Sequence, residues 1–203
     1  MTIKAVVFDI GGVLEITPPL GTDEKFAREL GWEPAAFDAA LRNTWRAGSI
    51  GAIGLVEVHA RIGAMLGIDA VRVDTFMDRV WAEYLGTLNV ELVSYFESLR
   101  GRGYRTAILS NSFVGARERE EAAYGFGDLC DFIVYSHEVG MQKPDPRIYA
   151  LTCERLGFPP DEVVFLDDTA LMVDAAAAFG MKAVRFVDTA QAIGDIEDLL
   201  SVQ

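Results

Sequence analysis

The sequence predicts an α/β protein: a parallel sheet core with a small all-helical unit inserted after the first strand. Three observations carry this. Five short runs, Lys4–Phe8, Arg105–Leu109, Phe132–Tyr135, Val163–Leu166 and Ala183–Phe186, are rich in Val, Ile, Phe and Ala and read as buried parallel strands. Helical stretches lie between them, the alternation expected of a parallel sheet. The connection from residue 9 to residue 104 is several times longer than the others and itself reads as helices.

The elements follow in order. Lys4–Phe8 is a continuous apolar run that ends at Asp9, too short for a signal peptide. In the long connection, Phe26, Leu30, Phe37, Leu41, Trp45, Val58, Ile62, Met65, Leu66, Phe76, Val80, Trp81 and Tyr84 recur at three- and four-residue spacing. This places a helical cap over residues 18–88, inserted into a core made of residues 1–17 and 89–203. After the second strand, Ser112 is placed to cap a helix through Arg117–Tyr124. Asp145 and Pro146 mark a helix start, and Gly157 follows its last turn. Thr169 is placed to cap a helix that runs through Ala175–Ala178 and stops at Gly180.

Composition narrows the function classes. The 203 residues are 51% hydrophobic and 24% charged, a globular composition. Eighteen Lys and Arg against 31 Asp and Glu give a net charge of −13. This argues against nucleic acid, whose phosphates need clustered cations, and against an anionic membrane surface. No apolar stretch approaches the roughly 20 residues of a spanning helix. Cys130 and Cys153 are widely spaced, without a CxxC pattern, and read as buried thiols. The expected location is cytoplasmic, as a monomer or homodimer. With His59 and His137 the only histidines, a His-rich metal site or a Ser-His-Asp machine is not expected.

In open parallel sheets, ligands bind beyond the carboxyl ends of the strands. The residues there are Asp9-Ile10-Gly11-Gly12-Val13 after the first strand, Ser110-Asn111-Ser112 after the second and Asp167-Asp168-Thr169 after the fourth. Gly140-Met141-Gln142-Lys143-Pro144-Asp145 precedes the helix that leads to the fourth. If the first, second and fourth strands are neighbours, three acids, a hydroxyl and a lysine converge. Asp9, Asp167 and Asp168 repel one another, and left alone they would raise their pKa values. A divalent cation and Lys143 bring the cluster near neutrality, and oxygen donors without paired His or Cys suit Mg²⁺. A phosphate could then be held by the metal, Lys143, the Ser110 hydroxyl and backbone N–H groups. An Asp carboxylate is a phosphoryl nucleophile.

Four stretches, VVFDIGGVL at Val6–Leu14, AILSNS at Ala107–Ser112, GMQKPDPRIY at Gly140–Tyr149 and VVFLDD at Val163–Asp168, resemble the haloacid dehalogenase superfamily of phosphatases and dehalogenases. The chain is most similar to the branch with α-D-glucose-1-phosphate phosphatases and the N-terminal phosphatase domain of soluble epoxide hydrolases. The resemblance implies a Rossmann-like core with a small helical cap, and a Mg²⁺-dependent phosphatase acting on a small phosphorylated metabolite through an aspartyl-phosphate. It implies Asp9 as nucleophile and metal ligand, the carbonyl of Gly11 and the carboxylate of Asp168 as further ligands, Ser110, Asn111 and Lys143 on the phosphate, and Asp167 supporting Asp168 or Lys143.

Two positions depart from the family pattern. Most relatives have a second Asp, the general acid and base, where this chain has Gly11, and many have Asn where it has Met172. General acid–base catalysis contributes ~10²–10⁴-fold. Without a positioned acid, esters with acidic leaving groups should suffer least, and Gly11→Asp should help alkyl phosphates most unless Gly11 has a positive φ. Two further readings stand beside the phosphatase: a catalytically weak or vestigial member that binds a phosphorylated ligand or partner, and a metal-free 2-haloacid dehalogenase. The last typically has an aromatic residue followed by Gly-Thr where this chain has Gly11-Gly12-Val13. In the insertion, Trp45 reads as a packed residue, Arg42 and Arg46 as a solvated helix face, and His59 as a packing residue. Glu15, just past the first motif, could face the site.

Overall fold

In the computed structural model, which describes residues 2–201, the chain opens with β1 (Ala5–Phe8) and turns sharply into β2 (Glu15–Ile16). Met1, Val202 and Gln203, at the ends of the expected core, lie outside the described residues. Four helices follow: α1 (Thr22–Glu29), α2 (Pro34–Ser49), α3 (Leu55–Leu66) and α4 (Ala70–Tyr84). Then come β3 (Thr87–Leu88), α5 (Val90–Gly101), β4 (Arg105–Ser110), α6 (Ala116–Tyr124), α7 (Phe126–Leu129), β5 (Phe132–Tyr135), α8 (Ser136–Val139) and α9 (Pro146–Leu156). The chain closes with β6 (Val163–Asp167), α10 (Ala170–Phe179), β7 (Lys182–Arg185) and α11 (Thr189–Ser201).

The five expected runs form one parallel sheet in the order β5-β4-β1-β6-β7. β1 therefore lies at the centre, between β4 and β6, with Phe8 level with Ile108 and Leu166. Alternate side chains enter opposite layers, because successive Cβ atoms of a strand point to opposite faces. Val6, Phe8, Ile108, Val164 and Leu166 pack on α5 and α11 through Phe96, Leu99, Ala192 and Ile196. The Phe8 and Phe96 rings stack with centroids 4.4 Å apart. Ala5, Val7, Ala107, Leu109 and Phe165 pack on α9 and α10 through Ile148, Tyr149, Leu156 and Ala176. Burial on both faces is why these strands read as continuous apolar runs rather than as alternating ones.

The helices α1–α4 bury an apolar cluster that includes Phe26, Phe37, Leu41, Val58, Ile62 and Phe76 and is joined by Ala116 of α6. Trp45, Val80 and Tyr84 pack at its margin. Met65, expected on the apolar face, is 51% exposed. It follows Ile62 by three positions and precedes buried Leu66, and only one of these two neighbours can point inward. Asp145 caps α9, accepting from the Arg147 N–H.

Three sequence expectations shift. β4 and β6 each run one residue further, so Ser110 and Asp167 are the last residues of their strands, and β7 starts one residue earlier. Ser112 caps no helix: α6 begins at Ala116 with Gly115 at its N-cap, and the Ser112 hydroxyl instead lies 2.6 Å from His137 Nδ1. Thr169 does stand at the N-cap of α10, but its hydroxyl donates to Asp168 Oδ1 rather than accepting a backbone N–H. β2 and β3 are an element the sequence reading missed. They pair antiparallel, Glu15 with Leu88 and Ile16 with Thr87, where the chain leaves for the four helices and where it returns. Two residues are too few to show a hydrophobic period.

Candidate active site

The neighbouring of β1, β4 and β6 puts Asp9, Ser110 and Asp167 side by side at the carboxyl ends of three adjacent strands. Carboxylate oxygens of Asp9, Asp167 and Asp168 lie within 4.8 Å of one another. Lys143 reaches them from the loop between α8 and α9. Its Nζ donates to Asp9 Oδ1 at 2.9 Å and to Asp167 Oδ2 at 2.6 Å. The Lys143 side chain is only 1% exposed, so this is a buried ion triad rather than a solvated lysine. Its Nζ also lies 5.4 Å from the Phe165 ring centroid.

Several groups hold this arrangement. Asn111 clamps the Lys143 backbone with both ends of its amide: Oδ1 accepts from the Lys143 N–H at 2.8 Å and Nδ2 donates to the Lys143 carbonyl at 2.9 Å. Both oxygens of Asp167 are engaged, Oδ2 by Lys143 and Oδ1 by the Thr169 N–H at 2.9 Å. Asp168 is less buried than Asp9 and Asp167. The turn after Asp9 is pinned by Gly12 N–H to the Glu15 carbonyl, 2.7 Å, and by Glu15 N–H to the Ile10 carbonyl, 3.0 Å. Gly12 has φ +76°, and a Cβ there would collide with the Asp168 carboxylate. Glycine is thus required twice, for its conformation and for the approach of Asp168. Gly11 differs: its φ is not positive, and a Cβ would meet nothing within 4 Å. The expected steric obstacle to an Asp at position 11 is absent.

The electrostatics follow from this burial. Removal from water, opposed by Lys143 and reinforced by the charge of Asp167, leaves the Asp9 carboxyl raised to about 7. One ammonium does not balance the acids gathered here. The cavity in front of them, about 390 Å³, is lined by Asp9, Gly11, Lys143, Asp168 and Met172 among others. Donor chemistry fits a hard divalent cation: the nearby groups are carboxylates, with Gly11 beside them and no His or Cys in the cluster.

A second cleft, about 410 Å³, continues from Asn111 and Ser112 to the helices, where Trp45, Val80, Trp81, Tyr84 and Phe113 form its apolar walls. Trp45 is thus both packed, edge-on to Phe113 at 5.5 Å between centroids, and part of this wall. Arg46 and Asp23 border the same cleft, whereas Arg42 is exposed outside it. His59 lines neither of these cavities; its Nδ1 lies 3.1 Å from Asp74 Oδ1, between α3 and α4. Glu15 is buried and borders a small cavity behind Gly11. Beside it stands Glu120 of α6, also fully buried, which the sequence reading missed. Its neighbours Arg117, Glu118, Arg119 and Glu121 are all charged, so nothing in the local sequence marks Glu120 for burial.

A parallel sheet with acids at the ends of its central strands and a lysine locked among them defines a hydrolase-type centre built on carboxylate chemistry. The chain belongs to the haloacid dehalogenase-like hydrolase family, whose model matches residues 3–180. Bifunctional epoxide hydrolase 2 of Sus scrofa is 28% identical over all of this chain, which spans 40% of that protein's length. Sesquiterpene phosphatase astK of Aspergillus oryzae is 24% identical over 98% of this chain and 97% of its own. (S)-2-haloacid dehalogenase 1 of a Pseudomonas species is 36% identical over 47% of this chain and 42% of its own. A crystal structure of a haloacid dehalogenase family enzyme from Bacteroides thetaiotaomicron, a magnesium complex, shares the fold, with a TM-score of 0.80 at 21% identity over 96% of this chain and 99% of that one. No helix among the described residues is long and apolar enough to cross a membrane.

Proposed function

We propose that this chain is a Mg²⁺-dependent phosphatase that hydrolyses a small phosphorylated ester through covalent attack by Asp9. The observation that carries this reading is the buried triad of Asp9, Lys143 and Asp167 beside Asp168, in which the acids outnumber the cation. Asp9, the Gly11 carbonyl and Asp168 would hold the metal, because both oxygens of Asp167 are already engaged. Bound there, Mg²⁺ would supply the missing positive charge and polarise the phosphoryl oxygens. Asp9 attacks phosphorus, Lys143 and the Ser110 hydroxyl hold the phosphoryl oxygens, and Asp167 fixes Lys143 in place. Asn111 acts on the phosphate through its clamp on Lys143. Residues 18–88 act as a cap over the core of residues 1–17 and 89–203. The aromatic cleft between them receives the organic part of the ester and favours an apolar one. The phosphatase name of a relative of equal length agrees with this reading.

A metal-free dehalogenase reading has less support. Gly11-Gly12-Val13 stands where that branch has an aromatic residue and Gly-Thr, and a third acid has no use in a metal-free displacement. The deciding experiment is a panel of phosphate esters and 2-haloacids assayed with Mg²⁺ and with EDTA, using wild type and Asp9→Asn. Phosphate release that needs both Mg²⁺ and Asp9 is expected. Halide release in EDTA would establish the dehalogenase instead, and inactivity on the whole panel would favour a vestigial binder.

A further inference from the structure

Behind Gly11 lies a cavity of about 90 Å³. Gly11, Glu15, Tyr84, Ser110, Asn111 and Glu120 are among the residues that line it. Gly11 and Asn111 are also walls of the larger cavity that holds Asp9, so the two spaces adjoin. One water needs about 10–15 Å³ of such space, and the walls here are polar. The cavity therefore has room for a short chain of waters.

Glu120 is 0% exposed, an extreme place for a carboxyl. The Tyr135 hydroxyl donates to its Oε2, and the Arg117 guanidinium lies over the Tyr135 ring, 4.7 Å from its centroid. Oε1 is buried and accepts no hydrogen bond of normal geometry among the described residues, although the Tyr84 hydroxyl faces the same carboxyl, and Oε2 of Glu15 is likewise unpaired. A buried acceptor left unpaired costs about 1–3 kcal/mol, and more when charged. Burial, opposed by hydrogen bonds from Tyr135 and Tyr84 and reinforced by the charges of Glu15 and Asp9, leaves the Glu120 carboxyl raised to about 7. Such a group is about half protonated at neutral pH and so can both give up and take back a proton.

We propose that Glu120 takes the place of the carboxyl absent at position 11, donating and recovering a proton through water held between its Oε1 and Gly11. The proposal rests on the phosphatase reading above. In the first step Asp9 bonds to phosphorus and the ester P–O bond breaks. The departing oxygen takes a proton from a cavity water, and that water takes one from Glu120. In the second step a water attacks the phosphorus and the bond from phosphorus to Asp9 breaks. That water's proton returns through the cavity to Glu120, which ends as it began, and inorganic phosphate leaves. Glu120 holds the proton without touching the ester, and Tyr135 positions it. The earlier expectation that alkyl esters suffer most from the loss at position 11 is thereby revised.

The test is the dependence on leaving group, which a merely structural role would not move. With Mg²⁺ present, Glu120→Gln should lower kcat for a simple alkyl phosphate about 10²-fold or more, against less than about 10-fold for p-nitrophenyl phosphate. KM should change little for either. Gly11→Asp added to Glu120→Gln should recover part of the alkyl activity. Equal losses on both esters, or the same selective loss in Glu15→Gln instead, would overturn the assignment. Should Glu120→Gln fail to fold, Gly11→Asp alone decides. A second donor in a site that already has one leaves the alkyl-to-aryl ratio within about 3-fold, whereas a rise near 10²-fold shows that the wild type lacked one. A wild type inactive on both esters sinks the phosphatase reading and the relay together. An active one with an unmoved ratio sinks the relay alone.

Discussion

Replacing Lys143 by Ala withdraws the ammonium that bridges Asp9 and Asp167 at 2.9 and 2.6 Å. The Lys143 and Asp167 side chains are each 1% exposed, so water cannot take over the lost charge. Removing one partner of a buried ion pair costs about 3–5 kcal/mol, because the other charge stays buried without compensation. Here two carboxylates are stranded, and Asp9 softens the loss by taking up a proton. At roughly 2–4 °C per kcal/mol for a chain of this size, the melting temperature in EDTA should fall by about 6–20 °C. Mg²⁺ should restore part of that, since it supplies charge to the same acids. Turnover should suffer separately. A charged hydrogen bond to phosphate contributes about 1.5–3 kcal/mol, so kcat/KM on an aryl phosphate should drop about 10–10²-fold. Lys143→Arg should recover little of either, because a planar fork does not fit a space shaped around a point charge. Calorimetry with and without Mg²⁺, together with steady-state kinetics, measures both. A Lys143→Ala protein that melts within about 2 °C of wild type and keeps kcat/KM within about 3-fold would refute the buried triad.

Further outcomes are expected elsewhere. Gly12→Ala should weaken Mg²⁺ binding, read by isothermal titration, and lower stability by about 1–3 kcal/mol, since its φ of +76° and its contact with Asp168 both oppose a side chain; Gly11→Ala, read the same way, should be nearly neutral. Glu120 has its carboxyl raised to about 7 by burial, with Glu15 and Asp9 contributing and Tyr84 and Tyr135 facing it. The folded chain then holds a proton there that the unfolded chain has lost. Its contribution is full below about 4.5 and fades as pH rises through about 7, with a slope of up to ~1.4 kcal/mol per pH unit that Glu120→Gln should remove from denaturation curves. Trp45→Ala should raise KM several-fold for aryl and other bulky apolar esters while leaving acetyl phosphate nearly unchanged, because it strips one wall of the cleft; equal effects on both would remove Trp45 from substrate contact.

Much of this molecule was legible in its residues. The strands showed as apolar runs because a strand covered on both faces needs no polar position, and Asp9, Asp167 and Asp168 stood out because hydrophilic groups directly after such runs sit at sheet ends, whereas Lys143 stood out only through the stretch that precedes α9. Order along the chain said nothing of order across the sheet. That β1 lies between β4 and β6 is a matter of packing and crossover, and it is what gathers the acids. Local signals also failed where a distant partner outbid them. Ser112 has the form of a cap, yet its hydroxyl is taken by His137. Asn111 has the form of a ligand residue, yet its amide matches the Lys143 backbone. Glu120 is the clearest case. Its neighbours in sequence are those of a solvated helix, and only the docking of α6 against Tyr135 and the Gly11 turn buries it. Periodicity encodes which face of an element leaves water, whereas the partner it meets there depends on segments a hundred residues away.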